Sequence, residues 1–194
     1  MRKKSHISLA RYIVNNMEDN DLKKHKLSFY IGSVLPDIKP SFVYKRHEMD
    51  GTYPDIRRHI ERLSEGRKLV EKKKGRKYYM DLGQISHYLA DYFTYPHNKI
   101  YPGSLKDHCS YEEKLKRDLR SYLKSGEATR HHRLLQLKEE HEKLQNKKKA
   151  EPLIDAEAIC AFIQKSHDEY LAHKHGVEDD IEHIVEVNHK ALDA

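Results

Sequence analysis

A chain of 194 residues can bury a sizeable core within one domain, and 35% charged against 37% hydrophobic residues gives it a heavily charged surface. The net charge of +6 attracts phosphate-bearing partners without choosing among nucleic acid, lipid headgroups and small phosphates, and two cysteines, Cys109 and Cys160, exclude a disulfide framework. No run is long and apolar enough to span a bilayer. The opening Met-Arg-Lys-Lys leads into an apolar segment interrupted by Arg11, with no small-residue cleavage site, so it reads as mature sequence of a cytoplasmic protein. With only 6 prolines and 8 glycines there are too few turn signals for a sandwich or barrel, and an all-α fold is expected.

From His6 to Met17, apolar residues at Ile7, Leu9, Ala10, Ile13 and Val14 form a helical stripe, with Ser5 as its cap. Asp21 can cap a second helix that runs through Leu27, Phe29, Tyr30 and Ile31 to about Val34. Pro36 and Pro40 then dictate an irregular loop from Leu35 to Tyr53, with Gly51 as a turn residue. Loops of that length inside compact domains tend to be functional, and this one carries Asp37, His47, Glu48 and Asp50. Pro54 opens a third helix through Ile56, Ile60, Leu63, Leu69 and Val70, ending in the basic stretch from Glu71 to Lys77. The central helix follows, its apolar surface supplied by Met80, Leu82, Ile85, Leu89, Tyr92 and Phe93. The helix after Ser104 extends to about Lys124 and stops near Gly126. Glu127 to Lys149 reads as an exposed helix or flexible excursion, and Lys147–Lys149 as a connector within one domain, 1–194. Pro152 opens a helix through Ile159, Phe162, Ile163 and Tyr170 that breaks at Gly176, and Val177, Ile181, Ile184, Val185 and Val187 mark the last helix.

The chemistry concentrates in one stretch, GQISHYLADYFTYPHNKIYPGSLKDHCSYE, from Gly83 to Glu112. His87 and Asp91 are four apart and share one face of a helix, and His108 and Glu112 repeat that spacing on the next. Tyr95-Pro96-His97-Asn98 and Pro102-Gly103 stop the first helix and turn the chain, and Ser104 caps the second. Three imidazoles and two carboxylates thus converge on one cleft. An all-nitrogen-and-oxygen set suits a catalytic zinc, and also manganese or iron. A single such pair is ordinarily a solvated helix face; two pairs flanking a histidine-bearing turn point to a metal. The other histidines carry less. His131 and His132 are adjacent and diverge on a helix. His167-Asp168 is an isolated dipeptide. His173, His175, His183 and His189 read as surface positions, and His59 as structural.

Taken in order, His6 near the N-terminus, Asp37 in GSVLPD, His47 in RHEMDGTY, His87-x-x-x-Asp91, His97 six residues on and His108-x-x-x-Glu112 resemble the zinc-dependent phospholipase C family, whose fold is shared with single-strand-specific zinc nucleases. The likeness in motif terms covers roughly the first two-thirds of the chain. It implies a single helical domain of about seven helices around a cluster of up to three zinc ions. The resemblance places Asp37, His47, His87 and Asp91 on one zinc, His97, His108 and Glu112 on a second, and His6 with Asp91 on a third. A carboxylate can bridge two cations where an imidazole cannot, which suits Asp91 to the shared position. The resembling enzymes bind the third metal through the amine and carbonyl of a mature N-terminal tryptophan. This chain has no tryptophan. Met1, expected to be retained because Arg2 is too bulky for methionine aminopeptidases, is the candidate for that place through its amine; the alternative is a frayed, solvated Met-Arg-Lys-Lys tail.

The implied activity is phosphoester hydrolysis of the phospholipase C type, with Asp37 and Asp91 as catalytic carboxylates and a metal-bound hydroxide as nucleophile. A zinc-dependent nuclease or small-molecule phosphodiesterase is the nearest alternative. A non-catalytic metal-binding helical protein is the alternative of another class. The implied substrate is a phosphoester, either a phospholipid headgroup with peripheral membrane contact or a nucleotide. No protein partner is legible. A nucleic-acid binder using the Lys/Arg excess ranks low, because no basic element carries interleaved aromatics.

Overall fold

The computed structural model describes residues 1–39, 47–68, 75–145, 155–173 and 176–193. These form nine α-helices: α1 (Lys3–Asn16), α2 (Asn20–Lys24), α3 (Lys26–Val34), α4 (Met49–Lys68), α5 (Arg76–Tyr92), α6 (Leu105–Ser125), α7 (Glu127–Gln145), α8 (Ala156–Ala172) and α9 (Val177–Asp193). A 3₁₀ turn, Tyr95–His97, links α5 to the loop before α6. No strand occurs among the described residues, and no helix there is long and apolar enough to cross a membrane. The anticipated helices are present. Their number rises above the anticipated seven partly because the second one breaks at His25 into α2 and α3.

Helix α5 is the centre. It is buried nearly all round, from Tyr79 to Tyr92, and packs on α3, α9, α4 and α1. A helix buried on every side must keep its polar groups paired. Ser86 donates to Asn188 Oδ1 of α9 at 2.7 Å, and Tyr92 shares a 2.8 Å hydrogen bond with Thr52 of α4. Asp81 accepts from Arg62 and Lys77 at 3.0 and 3.1 Å. Helices α3 and α5 approach closely. A Cβ at Gly32 would lie 2.0 Å from the Met80 carbonyl oxygen, and one at Gly83 2.3 Å from that of Phe29, so only glycine admits this approach.

The local signals for α6 hold in detail. Ser104 and Asp107 form a reciprocal capping box. Gly126 closes the helix in the left-handed region at φ 80°. Elsewhere the boundaries move. Ser5 is not the cap of α1; it is a buried residue inside the helix, which starts at Lys3 after Arg2. Asp19 rather than Asp21 caps α2, accepting from the Asp21 and Leu22 amides at 2.8 and 2.9 Å, and this lets Leu22 reach the core. The loop anticipated to Tyr53 ends at Met49, so Gly51 and Pro54 lie within α4 instead of in a turn and at a helix start. Tertiary anchoring outweighs the proline there: Thr52 is tied to α5 and the Tyr53 hydroxyl donates to the Cys160 carbonyl of α8 at 2.7 Å. Residues 40–46, most of the basic stretch after α4, the Lys147–Lys149 connector, Pro152 and His175 lie outside the described residues.

His189 is a further correction. It is buried rather than exposed, its ring 3.6 Å from that of His132 between α9 and α7. Val185, Ile181 and Leu192 share its face of α9, and that apolar stripe carries the histidine inward with it.

Candidate metal centre

Helix α5 supplies the floor of the site. His87 and Asp91 are fully buried and stand one turn apart, with Asp91 Oδ2 3.2 Å from His87 Nε2. His47, just ahead of α4, places Nδ1 2.9 Å from the same Asp91 oxygen and 3.1 Å from His87 Nε2. Asp37, in the turn after α3, brings Oδ1 to 3.7 Å from His87 Nε2 and 3.8 Å from His47 Nδ1. From α1, His6 stacks on the His87 ring at 3.8 Å and points Nε2 at the other Asp91 oxygen, 3.3 Å away. A second group sits beside it. His97 in the 3₁₀ turn and His108 on α6 converge on Glu112 Oε1 at 3.2 and 3.4 Å. The Met1 amine lies between the groups, 2.7 Å from Asp91 Oδ1 and from His97 Nε2, and 3.0 Å from Glu112 Oε1.

All nine residues singled out in the sequence are therefore in one region. Their donor atoms form three tight sets: His6, His87 and Asp91; Asp37, His47 and His87; and His97, His108 and Glu112. They line or underlie a cleft of about 1100 Å³ whose rim carries Tyr101, Leu105 and Cys109.

The charge distribution shows why this arrangement is matched to a cation. His87 Nδ1 faces the Ser33 carbonyl oxygen at 2.9 Å, and a carbonyl only accepts, so the ring proton belongs on Nδ1. The Nε2 lone pair then points at carboxylate oxygens of Asp91 and Asp37. Lone pair against carboxylate is repulsive, a cation among them turns that repulsion into attraction, and a carbonyl behind the histidine is the usual support for a metal-facing nitrogen. His6 Nε2 tells the same story: it is buried and has no hydrogen-bond partner, although an Asp91 oxygen is near. Burial, reinforced by His87, lowers the His6 pKa to about 3, so it stays a neutral donor. Burial, with the Met1 ammonium, also lowers that of His97. For Asp91, burial pushes the carboxyl up. The Met1 ammonium beside it outweighs burial and holds Asp91 well below the usual carboxylate range. Glu112 behaves alike: burial is overcome by hydrogen bonds from His108 and His97. Asp37 differs, because burial raises its pKa and dominates.

The sequence profile described as zinc-dependent phospholipase C matches residues 5–177. The chain belongs to the zinc-dependent phospholipase C family. No curated protein and no solved structure matches it. The match runs through α8, well beyond α6, the last of the ligand-bearing segments. The donor set fits the family's metal: neutral imidazoles and carboxylates without thiolate are zinc ligands of catalytic type. Two contributors escaped sequence reading. The Ser33 carbonyl is a backbone group with no side-chain signature, and Gly32 with Gly83, which set the distance from α3 to His87, carried no motif. His167 stays outside the centre, bonding to Asn98 Oδ1 at 2.9 Å.

Proposed function

We propose that this family member is a phosphoester hydrolase of the phospholipase C type, that residues 1–194 act as one unit, and that its zinc cluster is held by His6, Asp37, His47, His87, Asp91, His97, His108 and Glu112, with the Met1 amine as a further ligand. The observation that carries the reading is the sharing of Asp91: its two oxygens face different donor sets, one toward His47 and His87, the other toward His6 and Met1. Bound zinc would supply Lewis acidity toward a phosphoryl oxygen and lower the pKa of water near it. The protein's own part is to orient and to move protons. Ser33 fixes the His87 tautomer. Asp37, at the cleft surface with a raised pKa, is the carboxylate placed to take a proton from the attacking water. Asp91, kept ionised, would be the carboxylate shared between the metal sites.

The test pairs metal analysis with a substrate panel of phospholipid micelles, single-stranded DNA and a generic phosphodiester. The expected result is bound zinc, phospholipid hydrolysis abolished by chelator and restored by zinc, and loss of zinc in the double variant His87→Ala, Asp91→Ala. Full metal content in that variant overturns the ligand assignment. Cleavage of DNA but not lipid moves the chain to the nuclease side of the fold. A zinc-loaded protein that turns over none of the three is a non-catalytic metal binder.

A further inference from the structure

Beside the cleft runs a second concavity, about 750 Å³, between α1 and α6. Its walls are cationic. Lys3, Lys4 and Arg11 line it from α1, and Arg117, Arg120 and Lys124 from α6. No carboxylate lines it. The spacings explain the convergence: 4 and 11 are two turns apart on α1, and 117, 120 and 124 share one face of α6. None of these six side chains makes an ion pair among the described residues, and all six are exposed. Other cations nearby are neutralised: Lys114 pairs with Asp118 at 2.9 Å, Arg2 with Glu113 at 2.5 Å, and Lys116, where groove and cleft meet, with Glu113. Unneutralised like charges around one groove repel, and that cost is recovered only when an anion fills it.

The groove is continuous with the cleft. Lys3, Lys4 and Lys116 line both. Leu105, which lines the cleft, is 80% exposed, and Ile100 in the loop before α6 is 47% exposed. The one aromatic ring lining the groove, Tyr12, is buried, so there is no face on which a nucleic-acid base could stack. Free cations beside exposed aliphatic side chains at the mouth of a catalytic cleft match a lipid surface instead.

We propose that the α1–α6 groove docks the protein onto anionic bilayers, seating phosphate-bearing headgroups among Lys3, Lys4, Arg11, Arg117, Arg120 and Lys124, with Leu105 and Ile100 entering the interface beside the cleft. The choice of a bilayer over another polyanion rests on the phospholipase reading. The charge complementarity does not.

The test is co-sedimentation of the zinc-loaded full chain with phosphatidylcholine vesicles, with and without phosphatidylglycerol. The triple variant Arg11→Gln, Arg117→Gln, Arg120→Gln alters only groove residues that do not line the cleft. Wild type should bind the phosphatidylglycerol vesicles preferentially, less so as salt rises. At about five-fold per cation, the triple variant should bind them about a hundred-fold more weakly. Its zinc content, helical circular dichroism and turnover of a soluble monomeric substrate should be unchanged. Leu105→Ser should weaken the salt-resistant part of the binding. Equal vesicle binding by wild type and triple variant overturns the proposal, as does indifference of the wild type to phosphatidylglycerol. Tighter, variant-sensitive binding of a single-stranded oligonucleotide that displaces the vesicles overturns it too. Because binding is read without turnover, a protein that docks but hydrolyses nothing refutes the phospholipase reading and leaves the groove assigned.

Discussion

At the scale of the residue, Met1 is the sharpest case. Its side chain is buried and its amine is enclosed by Asp91, Glu112 and His97. Burial alone would lower the amine's pKa, but the carboxylates of Asp91 and Glu112 outweigh it and raise the value, so without metal the group is an ammonium. A cation arriving there must displace that proton. Zinc uptake is therefore expected to release protons and to weaken as pH falls, which titration calorimetry in buffers of different ionisation enthalpy will show. An N-terminal extension converts the amine to an amide with no donor lone pair. The extended protein is expected to lose one metal equivalent and most of its activity, while a C-terminal extension does neither. Equal metal stoichiometry in both would remove Met1 from the ligand set.

At the scale of the element, two helix pairs make distinct predictions. The α3–α5 approach depends on Gly32 and Gly83 meeting backbone, which cannot move aside as a side chain can. Gly83→Ala gains helix propensity, about 1 kcal/mol, but the added methyl collides with the Phe29 carbonyl. Overpacking of this kind costs about 1–3 kcal/mol, and a clash with backbone belongs at the upper end. The variant should melt several degrees lower and bind zinc less tightly, because separating the helices draws His87 from the Ser33 carbonyl. An unchanged melting temperature would show that the helices slide apart freely.

The α7–α9 pair carries a pH dependence. Burial, with the adjacent His132, lowers the His189 pKa to about 4. The folded state thus resists a proton that the unfolded chain accepts near pH 6.5. Its contribution is complete above pH 6.5 and is lost as pH falls from there toward about 4, on the order of 2–3 kcal/mol over that window. Replacing His189 by Gln removes the titration. Urea unfolding at successive pH values should show a shallower acid-side decline in the variant than in wild type. Parallel profiles would refute the assignment.

At the scale of the whole molecule, the candidate metal centre joins segments far apart in the chain: α1, the turn after α3, the start of α4, α5, the 3₁₀ turn and α6. Any cation bound there favours the assembled state over the unfolded one. Free zinc about a hundred-fold above its dissociation constant contributes about 2.7 kcal/mol per site, which for a chain of this size raises the melting temperature by about 5–10 °C per site. Chelation should reverse this rise yet leave the helices formed at 25 °C, because the apolar core continues through α4, α8 and α9 away from the donor atoms. Differential scanning calorimetry with and without chelator checks both points. A chelated protein that is unfolded at 25 °C would make the metal a requirement for folding.

What the amino-acid sequence determined by itself was whatever depends on neighbours a few residues apart. The capping box at Ser104, the stop at Gly126 and the shared faces of His87 with Asp91 and of His108 with Glu112 follow from helix geometry alone. So does the helical class. The tertiary structure decided what depends on distance across the chain. It placed one oxygen of Asp91 toward His47 and the other toward His6. It put a backbone carbonyl behind His87, drew His189 inward against His132, and continued α4 through Pro54 because Thr52 and Tyr53 are held by α5 and α8. Lys3 and Arg120 read separately as solvated helix surface; only the packing of α1 on α6 makes them walls of one groove. Local periodicity encodes which face a side chain occupies. Which partner that face meets is a property of packing, and no spacing along the chain records it.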